Sequence, residues 1–360
     1  MKLRHPIILG LFCLNLVPVC LVAQDTHSIK EPLPLFRSDE ILPLTLTINK
    51  SALWADRGDD PQYHSGVLSL ADNDGKPIML PANVRSRGHF RKDKTVCRYA
   101  PLLLNLEGDD RKKNTVFADQ NKLKLVMPCA SDDLVEREYL VYKVYNLLTP
   151  FSLRARLVKI LVVDSANPKK TEEIEGFLLE PPEQAALRNG LQPLKKMGLS
   201  PEFLVPSDFN LMAVFQFFVA NTDWSVQYLH NIELATAITN GSPTPLAYDF
   251  DHAGLVNAPY ALPAAELELE SVKERRYRGF CIESMETLQP IFALFNKQRN
   301  AIETLYRDDP RLSAAYRKWS LDFINKFYTT INNPKAASTA FTYPCKPGGT
   351  GAVIIRGLKN

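Results

Sequence analysis

Between residues 41 and 180 apolar and polar positions alternate with the period of a β-strand, and from about residue 205 they recur with the period of a helix. Leu42, Leu44, Leu46 and Ile48 alternate with Pro43, Thr45, Thr47 and Asn49, which predicts a strand with one buried face. Val67–Leu70 and Ile78–Leu80 flank Asp72-Asn73-Asp74-Gly75, a hairpin pattern in which Gly75 supplies a positive φ. Arg85–Arg91, Leu102–Leu106, Leu123–Met127, Arg154–Val163 and Ile174–Leu179 are further expected strands. One helix interrupts them over about 134 to 148, with Asp132 or Asp133 as cap, Val135, Tyr139, Tyr142 and Tyr145 on its periodic face, and Pro150 as its stop.

After Pro206 a helix that is apolar on nearly every side predicts burial in the middle of a core. Helices are expected at about 264 to 277, 283 to 306 and 311 to 332. The fold class expected from this order is α+β. It divides into an irregular lead-in at 24–40, a mainly antiparallel sheet-rich lobe at 41–180, a helical lobe at 181–335 and an irregular tail at 336–360.

The first residues pair a basic start (Lys2, Arg4, His5) with an apolar run from Pro6 to Val22 and the small residue Ala23. This predicts a signal peptide over 1–23 and an exported protein, in a periplasm, at a cell surface or secreted. The run is short for a membrane anchor, and no later stretch is apolar and long enough to cross a bilayer. An apolar content of 45% against 23% charged residues indicates a globular chain. The formal charge of +3 includes Lys2 and Arg4, so the mature chain is near neutral, which argues against a nucleic-acid binder.

Cys97, Cys129, Cys281 and Cys345 remain after the leader. Cys97 and Cys129 both fall at the ends of expected strands, which favours a Cys97–Cys129 disulfide and leaves Cys281 with Cys345; four buried free thiols are the alternative.

Candidate chemistry concentrates after the apolar helix. Asn221-Thr222-Asp223-Trp224 turns sharply polar, His230-Asn231 follows, and then Tyr248-Asp249-Phe250-Asp251 alternates carboxylates with aromatics. If 246–251 is a strand, Asp249 and Asp251 share a face. An amide among carboxylates suits a hard cation such as Mg²⁺, completed by phosphates and water. Asp223 is then placed to orient or deprotonate a hydroxyl, and Asn231 and Asp249 to hold the metal. Ordinary turn chemistry of Asp and Asn is the alternative reading.

Taken in order, Arg85-Ser86-Arg87-Gly88, Lys122-Leu123-Lys124-Leu125, Glu136 to Asn146, Gly176 to Glu180, Asn221 to Trp224, His230-Asn231 and Tyr248 to Asp251 resemble the spore-coat-protein-H-type (CotH-like) atypical secreted protein kinases. The resemblance covers roughly residues 80 to 255. It implies a bilobal protein-kinase-like fold and an ATP- and Mg²⁺-dependent transferase, with Mn²⁺ as a substitute metal. The acceptor implied is a protein hydroxyl or a cell-surface glycan. A non-catalytic nucleotide-binding or structural module of the same fold is the other outcome.

Carried over by position, Arg85, Arg87 and Gly88 lie over the phosphates. Lys124, or else Lys122, pairs with them, and Glu138 or Glu136 holds that lysine. Glu180 sits behind the adenine. Asp223 is the catalytic-loop aspartate, Asn231 and Asp249 are the metal pair, and Asp251 is a second metal candidate. The chain departs from the pattern in having a basic turn where a glycine-rich loop would be, so guanidinium groups would contact phosphate there.

Overall fold

The computed structural model of the protein describes residues 30–106, 108, 110–237, 241–279, 282 and 284–341. The expected signal peptide, most of the tail and the Cys281–Cys345 pairing lie outside the described residues.

The chain forms β1 (Leu42–Ile48), α1 (Lys50–Ala55), β2 (His64–Ala71), β3 (Pro77–Ser86), β4 (Leu102–Asn105), β5 (Lys122–Val126), α2 (Asp133–Leu148), β6 (Ala155–Asp164) and β7 (Asn167–Leu179). These strands close into a barrel in the order β1-β2-β3-β4-β5-β7-β6. All neighbours are antiparallel except β1 and β6, which run parallel, so the sheet is mixed rather than purely antiparallel. The alternation read in β1 is real: Leu42, Leu44, Leu46 and Ile48 are buried and face Leu68, Leu80, Leu104, Leu125, Ile160 and Leu178 inside the barrel. Gly176 is required where β7 crosses β5, because a Cβ there would stand 2.6 Å from the Val126 carbonyl oxygen.

The second part contains α3 (Pro182–Arg188), β8 (Gln192–Leu194), α4 (Pro206–Val219), β9 (Ile232–Thr236), β10 (Thr244–Ala247), α5 (Gln289–Arg307), α6 (Ala314–Ile331) and α7 (Pro334–Ala340). The architecture is thus mixed α+β, with seven helices among the described residues. α4 is buried nearly all round, as its composition predicts. Its Phe215 ring stacks on Tyr145 of α2, 4.1 Å between centroids, and Phe250 packs edge-on against both rings. α2 therefore belongs to one continuous core with α4, although the chain places it among the strands.

Several expectations need correction. The strand expected over Arg85–Arg91 stops at Ser86; Gly88 turns at φ +82° and Phe90–Lys92 is a single 3₁₀ turn. β10 ends at Ala247, and Asp249 takes a left-handed φ of +62°, so Asp249 and Asp251 are not alternating positions of a strand. The helix expected at 264–277 is absent; Ala265–Leu267 alone is helical there, as a single 3₁₀ turn. Tertiary bonds override the helical period there: Arg275 donates to the carbonyls of Phe218 and Phe323, and Arg278 to those of Thr222 and Trp224. The Asp132 side chain makes no capping bond to α2. Finally, the three-stranded sheet β10-β9-β8 lies in a region expected to be helical.

Candidate functional site

The β9–β10 hairpin does the first work of assembly. Its register pairs Ile232 with Ala247, and one step beyond, the Tyr248 N–H donates to the Asn231 carbonyl at 3.0 Å. Asn231 and Asp249 are thereby neighbours at the hairpin base, each with positive φ (+53° and +62°). Asn and Asp tolerate that conformation better than most side chains. A second fixture is the Tyr142 hydroxyl of α2, which accepts from the Asp249 N–H at 2.8 Å.

The segment carrying Asp223 leaves α4 through Ala220 in a left-handed C-cap. Asn221 Oδ1 accepts from the Asp223 N–H at 3.0 Å, and the buried Arg278 donates to the carbonyls on either side of Asp223, both at 2.6 Å. Asp223 itself is 6% exposed. Its Oδ1 lies 2.8 Å from His230 Nε2, and its Oδ2 accepts from the Asn231 amide at 3.1 Å.

Tyr142, Asp223, His230, Asn231 and Asp249 line a cavity of about 350 Å³ together with Arg87, Gly88, Arg91, Lys124, Glu138, Tyr248, Asp251, His252 and Tyr260. Of the residues singled out in the sequence, Arg87, Gly88, Lys124, Glu138, Asp223, Asn231, Asp249 and Asp251 are brought together there. Arg85, Lys122, Glu136 and Glu180 are not among the lining residues. Arg85 lies over the Tyr63 ring, 4.9 Å from its centroid. Lys122 shares a face with Lys124 but sits exposed at the start of β5. Glu136 is buried on α2, and burial together with Glu175 pushes its carboxyl up to about 8. Glu180 receives two bonds from Arg188, each 3.0 Å, and one from the Arg154 N–H at 2.9 Å, so it serves as a buried ion-pair partner.

Lys124 is pushed down to about 8 by burial and by Arg87, against the opposing pull of Asp249, Glu233 and Glu183. Its ammonium stands 4.5 Å from the Tyr248 ring centroid, a cation–π contact. His230 is raised above its ordinary value by the bond to Asp223, partly offset by burial. Burial and the nearby Asp249 charge raise Asp251, while His252 and Arg91 oppose the shift.

Among the described residues no group of three or more His, Cys, Asp or Glu has the arrangement to hold a metal ion alone. The available donors are the Asn231 Oδ1 and the Asp249 carboxylate, for which the chain provides no hydrogen-bond donor among the described residues. Two hard oxygen donors suit Mg²⁺ shared with ligand phosphates and water, not a closed protein cage. The Asp251 carboxylate is engaged by Arg91 and by the Tyr260 hydroxyl at 3.2 Å.

Sequence reasoning missed Arg91, His230, Tyr248 and Tyr260. His230 and Tyr248 stood inside the segments already singled out, one position before Asn231 and Asp249. Arg91 stood out only as the last residue of the strand expected over Arg85–Arg91. Comparison of the chain with models of known protein families and with curated protein sequences finds no match.

Proposed function

We propose that the protein is an exported ATP- and Mg²⁺-dependent phosphotransferase of bilobal protein-kinase-like build, acting on a protein hydroxyl or a cell-surface glycan. The observation that carries this reading is the convergence of Lys124, Asp223, Asn231 and Asp249, from four separate stretches of the chain, on one cavity. The cavity lining offers both cations for phosphate oxygens and oxygen donors for a metal and a hydroxyl, the two kinds of group that phosphoryl transfer requires. Arg87 and Lys124 attract and neutralise phosphate oxygens. Asn231 and Asp249 would hold Mg²⁺, which when bound supplies further neutralisation of phosphate charge. Asp223 orients the acceptor hydroxyl and receives its proton.

One observation favours a second reading, a nucleotide-binding module without transfer. Both carboxylate oxygens of Asp223 already take hydrogen bonds from within the chain, from Asn231 and from His230 in its Nε2–H form. Thermal melting with ATP, with and without Mg²⁺ or Mn²⁺, tests binding, since a ligand that binds only the native state raises Tm. Labelled-phosphate transfer then separates the two readings. A Tm indifferent to every nucleotide and metal would contradict both.

A further inference from the structure

The resemblance assigns Glu138 to a lysine, but the carboxylate faces an arginine. Arg91 Nη1 lies 3.5 Å from Glu138 Oε2 and 3.7 Å from Asp251 Oδ2. Its Nη2 donates to the Met127 carbonyl at 2.6 Å. The Glu138 and Asp251 side chains are 3% and 8% exposed and that of Arg91 is 11% exposed, so all three groups meet out of bulk water. Asp249, Glu233 and Glu183 pull on the Lys124 charge, and Lys124 makes no ion pair with Glu138 among the described residues.

The loop that delivers Arg91 is fixed on several sides. The Arg87 N–H donates to the Pro101 carbonyl at 2.9 Å. Phe90 packs against His252 and Tyr260, both at 5.7 Å between centroids. The Cys97–Cys129 disulfide ties the far side of the loop to the chain just past Met127.

We infer that Arg91 is a positioning residue: it replaces the lysine as partner of Glu138, locks the basic loop, α2 and the acidic turn at Asp251 into one unit, and leaves the Lys124 ammonium for the negative charge of a ligand. A guanidinium suits this task because its planar fork sets one nitrogen beside the two carboxylates and the other on the Met127 carbonyl, a spread that the single nitrogen of an ammonium does not have. Removing it strands two buried carboxylates beside each other. The pairing of Arg91 with Glu138 stands independently of the proposed activity; the release of Lys124 to a ligand rests on the phosphate-binding reading.

The test is a pair of double-mutant cycles on the full mature chain. Arg91→Met is expected to lower Tm by about 10 °C, and Glu138→Gln added to it to recover part of that loss, because one stranded charge is removed. Lys124→Met and Glu138→Gln are expected to add independently in Tm. Coupling of Glu138 to Lys124 and not to Arg91 would overturn the inference. If Arg91→Met does not accumulate, Arg91→Lys keeps the charge without the fork. It is expected to lie below the parent in Tm and to gain less from Glu138→Gln than a full loss of charge would, whereas a parental Tm would contradict the fork's role. Inorganic triphosphate serves as the ligand probe. Lys124→Met is expected to weaken its binding at least tenfold, and Glu138→Gln to leave it within about twofold, since Glu138 does not compete for that ammonium. A Glu138→Gln variant that binds triphosphate much more tightly than the parent would show Lys124 to be held by Glu138. Intact Arg91–Glu138 coupling with no triphosphate binding in the parent would reject the phosphate reading alone.

Discussion

His230 Nε2 lies 2.8 Å from Asp223 Oδ1, so the proposed catalytic aspartate and an imidazole form one hydrogen-bonded pair at the cavity wall. The pair has a pH consequence. The bond raises His230 above its ordinary value of 6.5. A raised histidine contributes stability that is fully present below the unfolded value and is lost as pH rises through the higher folded value. Titration of His230 by NMR is expected to give a midpoint above 6.5 in the parent and a lower one in Asp223→Asn. The same midpoint in both proteins would show that the contact carries no electrostatic weight.

Lys124 works in the opposite direction. Its folded value of about 8 lies below the ordinary 10.5, so the unfolded chain holds more protons between those values. Stability from this group therefore rises from pH 8 towards 10.5, by about 3 kcal/mol as an order of magnitude. Denaturant unfolding across that window should show the rise in the parent and lose it in Lys124→Met. Lys122→Met, at an exposed position outside the cavity lining, should retain it and should bind nucleotide as the parent does.

Cys97 and Cys129 are joined across a sequence separation of 32. A loop of that length predicts a loss of about 3–4 kcal/mol when the bond is removed, on the chain-entropy account. Urea unfolding of the Cys97→Ser, Cys129→Ser double variant against the oxidised parent measures it. A midpoint unchanged by the substitutions would mean that packing alone holds the loop.

Glu180→Gln separates a structural role from a ligand role. The carboxylate is 2% exposed and bonded twice to Arg188, whose guanidinium would be left buried without its charge partner. The variant is expected to lose about 3–5 kcal/mol of stability. Its nucleotide affinity while folded should be parental. A selective loss of affinity with normal stability would return Glu180 to the ligand site.

Much of this was legible along the chain, for identifiable reasons. The strand at Leu42–Ile48 and the apolar helix at Pro206–Val219 announce themselves because burial of one face, or of all faces, writes its period into neighbouring residues. Expected strand ends favour the pairing of Cys97 with Cys129; the bond is present, although Cys97 lies in the loop between β3 and β4 and Cys129 three residues past β5. Residues 264–277 misled because their apolar spacing suits a helix, while Arg275 and Arg278 hold the backbone by bonds to distant carbonyls that no local window contains. Asp249 and Asp251 alternate in sequence, yet the left-handed turn at Asp249 breaks the strand that alternation implies. Arg91 was hidden for the same reason as Arg278: its partners Glu138, Asp251 and Met127 come together only through closure of the barrel against α2.

On the proposed reading Asp249 and Asn231, at the base of one hairpin, hold Mg²⁺ together with the phosphates of ATP. Calorimetric titration of ATP into parent and Asp249→Asn protein, each with and without Mg²⁺ and each shown by thermal melting to be folded, tests it most directly. Replacing the carboxylate with an amide removes a full charge from a hard-cation site. Mg²⁺ is expected to strengthen ATP binding at least tenfold in the parent and to leave it nearly unchanged in Asp249→Asn. Equal affinity of the two proteins for Mg-ATP would contradict it.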